Sequence, residues 1–318
     1  MRAVWMKEYG GPEVLVPGEA PDPVAGPGQA LVEVAFANIT FVETQFRARG
    51  FGPVRAQLPV IPGNGVGGMV VAVGEGVDRA LVGRRVVGPT GGSGGYAGLV
   101  AADADGFVEV PDGVALDEAV ALLADGRTAT MLVSSAALVP GERVLVEAAA
   151  GGVGSLLVQL ATAAGARVVA AAGGPRKLDL ARSLGAEVAV DYGAPGWAEA
   201  VRSAVGGLDV VFDGVGGEVA RAAFGLLERG GRMVSFGLAS GTWSDVKDDE
   251  AAERGVTMVR GARGTPAELR AYTARALAEA AAGRLKPVIG QRFPLERAAD
   301  AHAAIESRAT VGKTLLVL

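Results

Sequence analysis

The chain has 318 residues, half of them hydrophobic, with 30 basic against 35 acidic side chains and a formal net charge of −5. That length favours two domains over one core, and that charge argues against an electrostatic footprint for nucleic acid. There is no cysteine, which excludes disulfides, cysteine nucleophiles and thiolate metal sites.

The opening, MRAVWMKEYGG, reads as a first strand. It has neither the apolar run nor the small-residue cleavage site of a signal peptide. No segment approaches the ~18 uninterrupted apolar residues of a bilayer span, so a cytoplasmic protein without membrane association is expected. Up to about residue 120 short β-type runs lie between Gly and Pro turns: ALVEVAF (30–36), GGMVVAVG (67–74), RRVVG (84–88) and FVEVPDG (107–113). They predict a compact β domain that no long helix interrupts. Within it GGSGG (91–95) matches G-x-S-x-G, which would make Ser93 a hydrolase nucleophile. That motif needs a helix after the serine, whereas GYAGLVAAD alternates like a strand.

From Pro140 the texture changes. RVLVEA (143–148), ARVVAAA (166–172), EVAVDY (187–192), LDVVFDG (208–214), RMVSFG (232–237) and VTMVR (256–260) are apolar runs with room for one helix between each pair. Six such strands predict a doubly wound parallel sheet covered on both faces. Thr265 to Glu268 form a capping box with proline at the first helical position, opening a helix to Gly283. A second helix, about 296–307, leads into TLLVL, and this tail is expected to rejoin the first domain. GKT (312–314) hints at a phosphate loop, but Ser307 replaces the required glycine and a strand follows.

The stretch EAAAGGVGSLLVQLA (147–161) places Ala149-x-Gly151-x-x-Gly154 between a predicted strand and a predicted helix, the context of a dinucleotide-binding turn. Gly151 would let a pyrophosphate approach the backbone, and Gly154 would let helix and strand pack closely. The helix N-terminus supplies unpaired N–H groups and partial positive charge. Ala149 departs from the motif at the position that serves the turn, where a methyl is tolerable if φ stays negative. An NAD site usually carries an acid at the end of the second strand. Here that strand ends in Ala170 to Ala172, Gly173 and Gly174, followed by Pro175, Arg176 and Lys177. Two cations and no acid favour NADP(H), with Arg176 and Lys177 on the 2′-phosphate.

At this point the chain resembles the zinc-independent medium-chain dehydrogenases/reductases of the quinone oxidoreductase, zeta-crystallin-like, type. The resemblance rests on LPVIPGNGVGGMVVAVGEGV (58–77), GGYAGLV (94–100), GRTA (126–129), GERVLVEAAAGGVGSLLVQLA (141–161), VFDGVGG (211–217), SFG (235–237) and IESRATVGKTLLVL (305–318). It implies a GroES-like catalytic domain over 1–123 and 262–318, a Rossmann NADP(H)-binding domain over 124–261, and a homodimer. It also implies roles by position. Thr128 would reach the nicotinamide ribose or amide. Gly151, Gly152, Val153, Gly154 and Ser155 would hold the pyrophosphate. Gly173, Gly174, Lys177 and Tyr192 would surround the adenosine phosphate, Val215, Phe236 and Gly237 would border the nicotinamide, and Arg260 is a weaker carry-over.

Zinc members of that superfamily polarise a carbonyl with a metal. This chain has one histidine, His302, and Asn64 and Gly65 stand where zinc enzymes have a histidine–glutamate pair, so no zinc site is expected. None of Tyr9, Tyr96, Tyr192 or Tyr272 has a lysine four residues on, so the tyrosine–lysine solution of short-chain reductases is missing too. Conjugate reduction needs less, because hydride adds to an enone or quinone and the enolate oxygen needs only hydrogen-bond donors or water. The family's substrate loop often reads NxxDxY. ITFVETQFRARG (39–50) puts Thr40, Glu43 and Gln45 at those places, with Asn38 one register shift away. Thr40 and Gln45 can donate hydrogen bonds and are the catalytic candidates beside Thr128. A non-catalytic NADPH-binding sensor is the alternative reading.

Overall fold

A computed structural model of the chain describes residues 1–51, 57–260 and 264–318. The chain divides into two compact units, Met1–Arg127 with Thr265–Leu318, and Thr128–Gly264. Of the expected boundaries, the one at residues 261–262 lies outside the described residues.

In chain order the first unit begins with β1 (Arg2–Met6) and β2 (Leu15–Glu19), an antiparallel pair. Then come β3 (Gln29–Ile39), α1 (Phe41–Arg49), β4 (Gly65–Val73), β5 (Arg85–Pro89), β6 (Leu99–Asp103) and β7 (Val108–Glu109). Helix α2 (Leu116–Ala136) is continuous, so the division between the units falls inside it. The second unit follows with β8 (Arg143–Glu147), α3 (Gly152–Ala163), β9 (Arg167–Ala172), α4 (Pro175–Ser183), β10 (Val188–Asp191), α5 (Trp197–Val205), β11 (Leu208–Asp213), α6 (Gly217–Phe224), β12 (Leu227–Ser235), α7 (Asp248–Glu253) and β13 (Thr257–Arg260). The chain then returns to the first unit with α8 (Pro266–Ala281), β14 (Ile289–Pro294), α9 (Ala298–Glu306) and β15 (Lys313–Val317).

In the first unit the strands are ordered β14-β15-β3-β4-β5-β7, with β6 also on β3. The last strand of the chain thus pairs antiparallel with β3, Leu315 opposite Asn38. The core is filled by alternate residues of these strands, among them Val32, Val34, Val66, Val86 and Leu316. The second unit holds one sheet ordered β10-β9-β8-β11-β12-β13, every pair parallel. Its strand order reverses beside β8, so the crevice at the carboxyl ends of β8 and β11 is the topological switch point where such folds bind ligands. Leu145, Val169, Val211, Phe224 and Met233 belong to its core.

Two elements depart from the sequence expectation. The stretch read as a substrate loop is the helix α1. Thr40 donates from both its N–H and its hydroxyl to Glu43 Oε2 at 2.6 and 2.9 Å, which is the same Thr-x-x-Glu signal that opens α8 through Thr265 and Glu268. The expected β domain without a long helix is followed at once by the 21-residue α2. Gly126 in its middle weighs against a helix, but α8 packs so close there that a Cβ on Gly126 would lie 3.0 Å from Ala276 Cβ. Among the described residues no helix is long and apolar enough to cross a membrane.

Candidate active site

Most of the sequence-predicted cofactor residues fall on one edge, the carboxyl ends of the six parallel strands. At β8 the chain leaves Glu147 and turns. The residue that takes the left-handed conformation is Ala148, at φ 48°, while Ala149 has no positive φ. Ala149 is therefore compatible with the motif, and its N–H donates to Ala171 O on β9 at 3.1 Å. Gly151 caps α3 in extended conformation, and its N–H donates back to Ala148 O at 2.8 Å. Among the described residues no acceptor takes the N–H groups of Gly152, Val153 or Gly154. These three amides, at the positive end of a 12-residue helix, form a cradle suited to an anion such as a pyrophosphate. The Ser155 hydroxyl is turned inward and donates to Gly152 O at 3.0 Å.

Gly154 is where the helix presses on the turn. A Cβ there would lie 2.2 Å from Ala148 O and 2.9 Å from Ala149 Cα, both backbone atoms that cannot swing away. Gly154→Ala is expected to destabilise the fold by about 1–3 kcal/mol through overpacking and to weaken dinucleotide binding ~tenfold or more as the amides are displaced. Thermal unfolding and a coenzyme titration would read both. Wild-type values in the variant would mean that the turn has room it does not show here.

At β9 the chain runs into Gly173 and Gly174, and Pro175 opens α4 with no acid in its first turn. Arg176 is exposed and in no ion pair among the described residues, and Lys177 is half-buried. A Cβ on Gly173 would come 3.8 Å from the Tyr192 ring, so these two face each other. What the sequence reading missed is Asp191, the last residue of β10 and the register partner of Ala172. Its carboxylate accepts from Gly174 N at 3.0 Å and Gly193 N at 2.8 Å, latching the glycine turn to the neighbouring strand. The end of β9 carries no acid, whereas the DY at the end of the next strand supplies one. Exchanging Arg176 and Lys177 together for alanine is expected to weaken NADPH ~tenfold or more while changing NADH little. Equal losses in fluorescence titrations with the two coenzymes would show that neither side chain meets a 2′-phosphate.

On the other side of the switch point the loops after β11 and β12 are laced together. Phe236 N donates to Asp213 O at 2.9 Å, and Ser240 N donates to Val215 O at 2.8 Å. The Phe236 ring closes on Gly214, where a Cβ would meet its Cζ at 2.8 Å. Val215, Phe236 and Gly237 are thereby brought together. Arg260 ends β13 opposite Ser235, with its guanidinium held by Asp248 and by Val246 O at 2.7 Å. Thr128 lies half-buried in α2, and no side-chain hydrogen bond engages it among the described residues.

In the first unit Thr40 and Gln45 stand on α1, and both have partners. The Thr40 hydroxyl donates to Glu43, and Gln45 Oε1 accepts from Arg49 at 2.6 Å. The Gln45 amide nitrogen makes only a long contact, 3.4 Å to Thr44 Oγ1. Glu43, buried beneath them, also accepts from Asn64 N at 2.8 Å. Burial pushes its carboxyl up, and the bonds from Thr40 and Asn64 and the Lys313 ammonium partly offset that. Asn64 Oδ1 in turn accepts from Gly92 N at 2.7 Å. Nearby in the same unit Lys313 Nζ donates to Asp125 Oδ1 at 2.9 Å, both side chains buried. Lys313 is the lysine of the discarded GKT. A charged residue opening an apolar strand was the signal that it has a buried partner.

His302 is fully buried in α9, and its Nε2 lies 2.9 Å from the Tyr96 hydroxyl. Ser93 sits in the turn before β6 with no helix after it, so the nucleophile elbow is not formed and the histidine a serine hydrolase would need is engaged elsewhere.

Comparison with known proteins agrees with this architecture. Residues 26–112 match the family model described as the alcohol dehydrogenase GroES-like domain, and residues 152–279 match the one described as zinc-binding dehydrogenase. A quinone oxidoreductase of Pseudomonas aeruginosa is 34% identical over 317 residues, 97% of each chain. The Escherichia coli quinone oxidoreductase solved in complex with NADPH is 30% identical with a TM-score of 0.93, covering 100% of both chains. A mycobacterial protein, also solved in complex with NADPH, is 34% identical with a TM-score of 0.90 over 100% of both chains. The chain belongs to the quinone oxidoreductase family of medium-chain dehydrogenases/reductases, NADPH-dependent oxidoreductases built from a GroES-like and a Rossmann domain.

Proposed function

We propose that this chain uses NADPH to reduce a quinone or an α,β-unsaturated carbonyl, without a metal and as a homodimer, the first unit serving the substrate and the second the coenzyme. The observation that carries this reading is the row of amides at Gly152, Val153 and Gly154, which meet no acceptor among the described residues, set at the switch point of a six-stranded parallel sheet. The NADPH held by the Escherichia coli and mycobacterial relatives supports it.

NADPH, when bound, supplies the hydride. Gly152, Val153 and Gly154 bind the pyrophosphate, with Gly151 and Ser155 shaping the turn around them, and Arg176 and Lys177 bind the 2′-phosphate beside Gly173, Gly174 and Tyr192. Val215, Phe236 and Gly237 border the nicotinamide, Thr128 reaches its ribose or amide, and Arg260 stands at the rim. For the enolate oxygen the chain's contribution is a hydrogen-bond donor. Of the two candidates on α1, Gln45 is better placed chemically, because its amide nitrogen keeps hydrogens to give while the Thr40 hydroxyl is committed to Glu43. The metal-free part of the reading rests on a chain without cysteine and with one histidine, which is buried against Tyr96. The homodimer is supported by β13, an edge strand whose outer hydrogen-bonding side pairs with no described strand.

Chelator-treated protein should oxidise NADPH, followed by its absorbance, with at least one acceptor from a panel of quinones and enones. Binding without turnover on any acceptor would instead point to a sensor. Sedimentation velocity should give a dimer; a monomer at micromolar concentration would remove that part of the reading.

A further inference from the structure

Glu147 and Asp213 are the last residues of β8 and β11, neighbouring strands at the switch point, and both side chains are fully buried. The Val215 N–H lies 3.1 Å from Glu147 Oε2 and 3.2 Å from Asp213 Oδ1, and the Gly216 N–H donates to Asp213 Oδ1 at 2.8 Å. The second oxygen of each carboxyl, Glu147 Oε1 and Asp213 Oδ2, has no donor among the described residues. The two carboxyl groups are within hydrogen-bond reach of each other, and no lysine, arginine or histidine among the described residues forms an ion pair with either. On its other side Glu147 is the register partner of Ala171, which cannot titrate.

Two adjacent carboxylates withdrawn from the surface repel each other, and each would keep an oxygen with no donor among the described residues. One proton between them resolves both defects, since a carboxylic O–H on one group can donate to the other. Asp213 Oδ1 collects the Val215 and Gly216 amides, the latter at the shortest distance in the cluster, while Glu147 meets the Val215 and Gly214 amides. Burial and the Asp213 charge push the Glu147 carboxyl well above the usual carboxylate range.

We propose that Glu147 is a protonated positioning residue. Its O–H bonds to Asp213, and the resulting acid–carboxylate pair holds the Val215–Gly216 turn on one side of the coenzyme site in register with the Ala148–Gly154 turn on the other. The coenzyme part of this inference rests on the NADPH reading above; the shared proton does not.

Infrared spectroscopy of coenzyme-free protein at neutral pH should show a protonated carboxyl band that shifts in heavy water and is lost in Glu147→Gln. A wild-type spectrum without any such band overturns the proposal with no variant needed, and so does a band set unchanged in Glu147→Gln. The amide of glutamine can still donate to Asp213 and accept from Val215. Glu147→Gln should therefore keep the NADPH dissociation constant within ~threefold, while Glu147→Ala raises it ~tenfold or more by leaving Asp213 Oδ2 bare. Equal losses in both variants reject the positioning role. Wild-type protein that binds no NADPH refutes the functional reading instead, while the spectrum still decides the proton.

Discussion

Lys313→Met is expected to cost about 3–5 kcal/mol of folding stability. The lysine enters the first unit at the start of β15 and is covered on all sides, with its ammonium 2.9 Å from Asp125 Oδ1. Both side chains are largely withdrawn from water, at 4% and 11% exposure. Methionine fills nearly the same space, so little packing is lost. What is lost is the only ion pair of Asp125 among the described residues, and that buried carboxylate would keep only the longer-range attraction of the Arg127 guanidinium. Lys313 also moderates the upward push on Glu43, so the variant should make that carboxyl still harder to ionise. The pair itself need not be stabilising relative to an apolar one. Lys313→Met combined with Asp125→Leu should therefore recover much of the loss, giving a double-mutant energy far from the sum of the singles. Urea denaturation of the three variants checks this. A single-variant loss below about 1 kcal/mol would mean that Asp125 finds water or another donor.

His302 should make the protein acid-sensitive. Burial, aided by the nearby Arg47 guanidinium, lowers the imidazole from its ordinary 6.5 to about 3. The ring is fully covered, and Tyr96 engages Nε2 while Nδ1 has no partner among the described residues. In the unfolded chain the same ring takes a proton near pH 6.5. Between about pH 6.5 and 3 the unfolded state binds that proton and the folded state refuses it, so stability falls as pH falls through this window. The slope for one such group approaches ~1.4 kcal/mol per pH unit, and the whole window is worth on the order of 5 kcal/mol. Several surface carboxylates lowered by arginine partners, Glu142 and Asp209 among them, also lose stability in acid. The contribution of His302 is therefore read as a difference. His302→Gln keeps a side chain that can bond the Tyr96 hydroxyl but does not titrate. Its denaturation free energy should fall less steeply than that of wild type from pH 6.5 downward, and parallel curves for the two proteins would contradict a buried neutral histidine.

The fold was legible because its signals are local. Apolar runs of strand length, separated by helix-length intervals, are properties of contiguous residues, and a sheet buried on both faces demands them. The Ala149–Gly154 turn was legible for the same reason, since tight turns and close helix packing select small residues at fixed short spacings. Helix α1 is equally legible through the capping spacing of Thr40 and Glu43, which the family's substrate-loop pattern masks. Helix α2 was not, because Gly126 argues against a helix locally and only the approach of α8 makes a glycine the residue that fits.

The polar pairs lay beyond the sequence. Asp191 reaches Gly174 across 17 residues, Glu147 meets the Val215 amide across 68, and Lys313 meets Asp125 across 188. Chain separation carries no information about such contacts, because each is set by which strands become neighbours and by register within the sheet. By itself the sequence determined that there is a parallel sheet with a glycine turn at its centre, and that cysteine chemistry is impossible. Only the tertiary structure decided which charges are buried and what they face. The free energy of a buried charge depends on its distance to a partner and on the exclusion of water, and neither exists until the chain has folded.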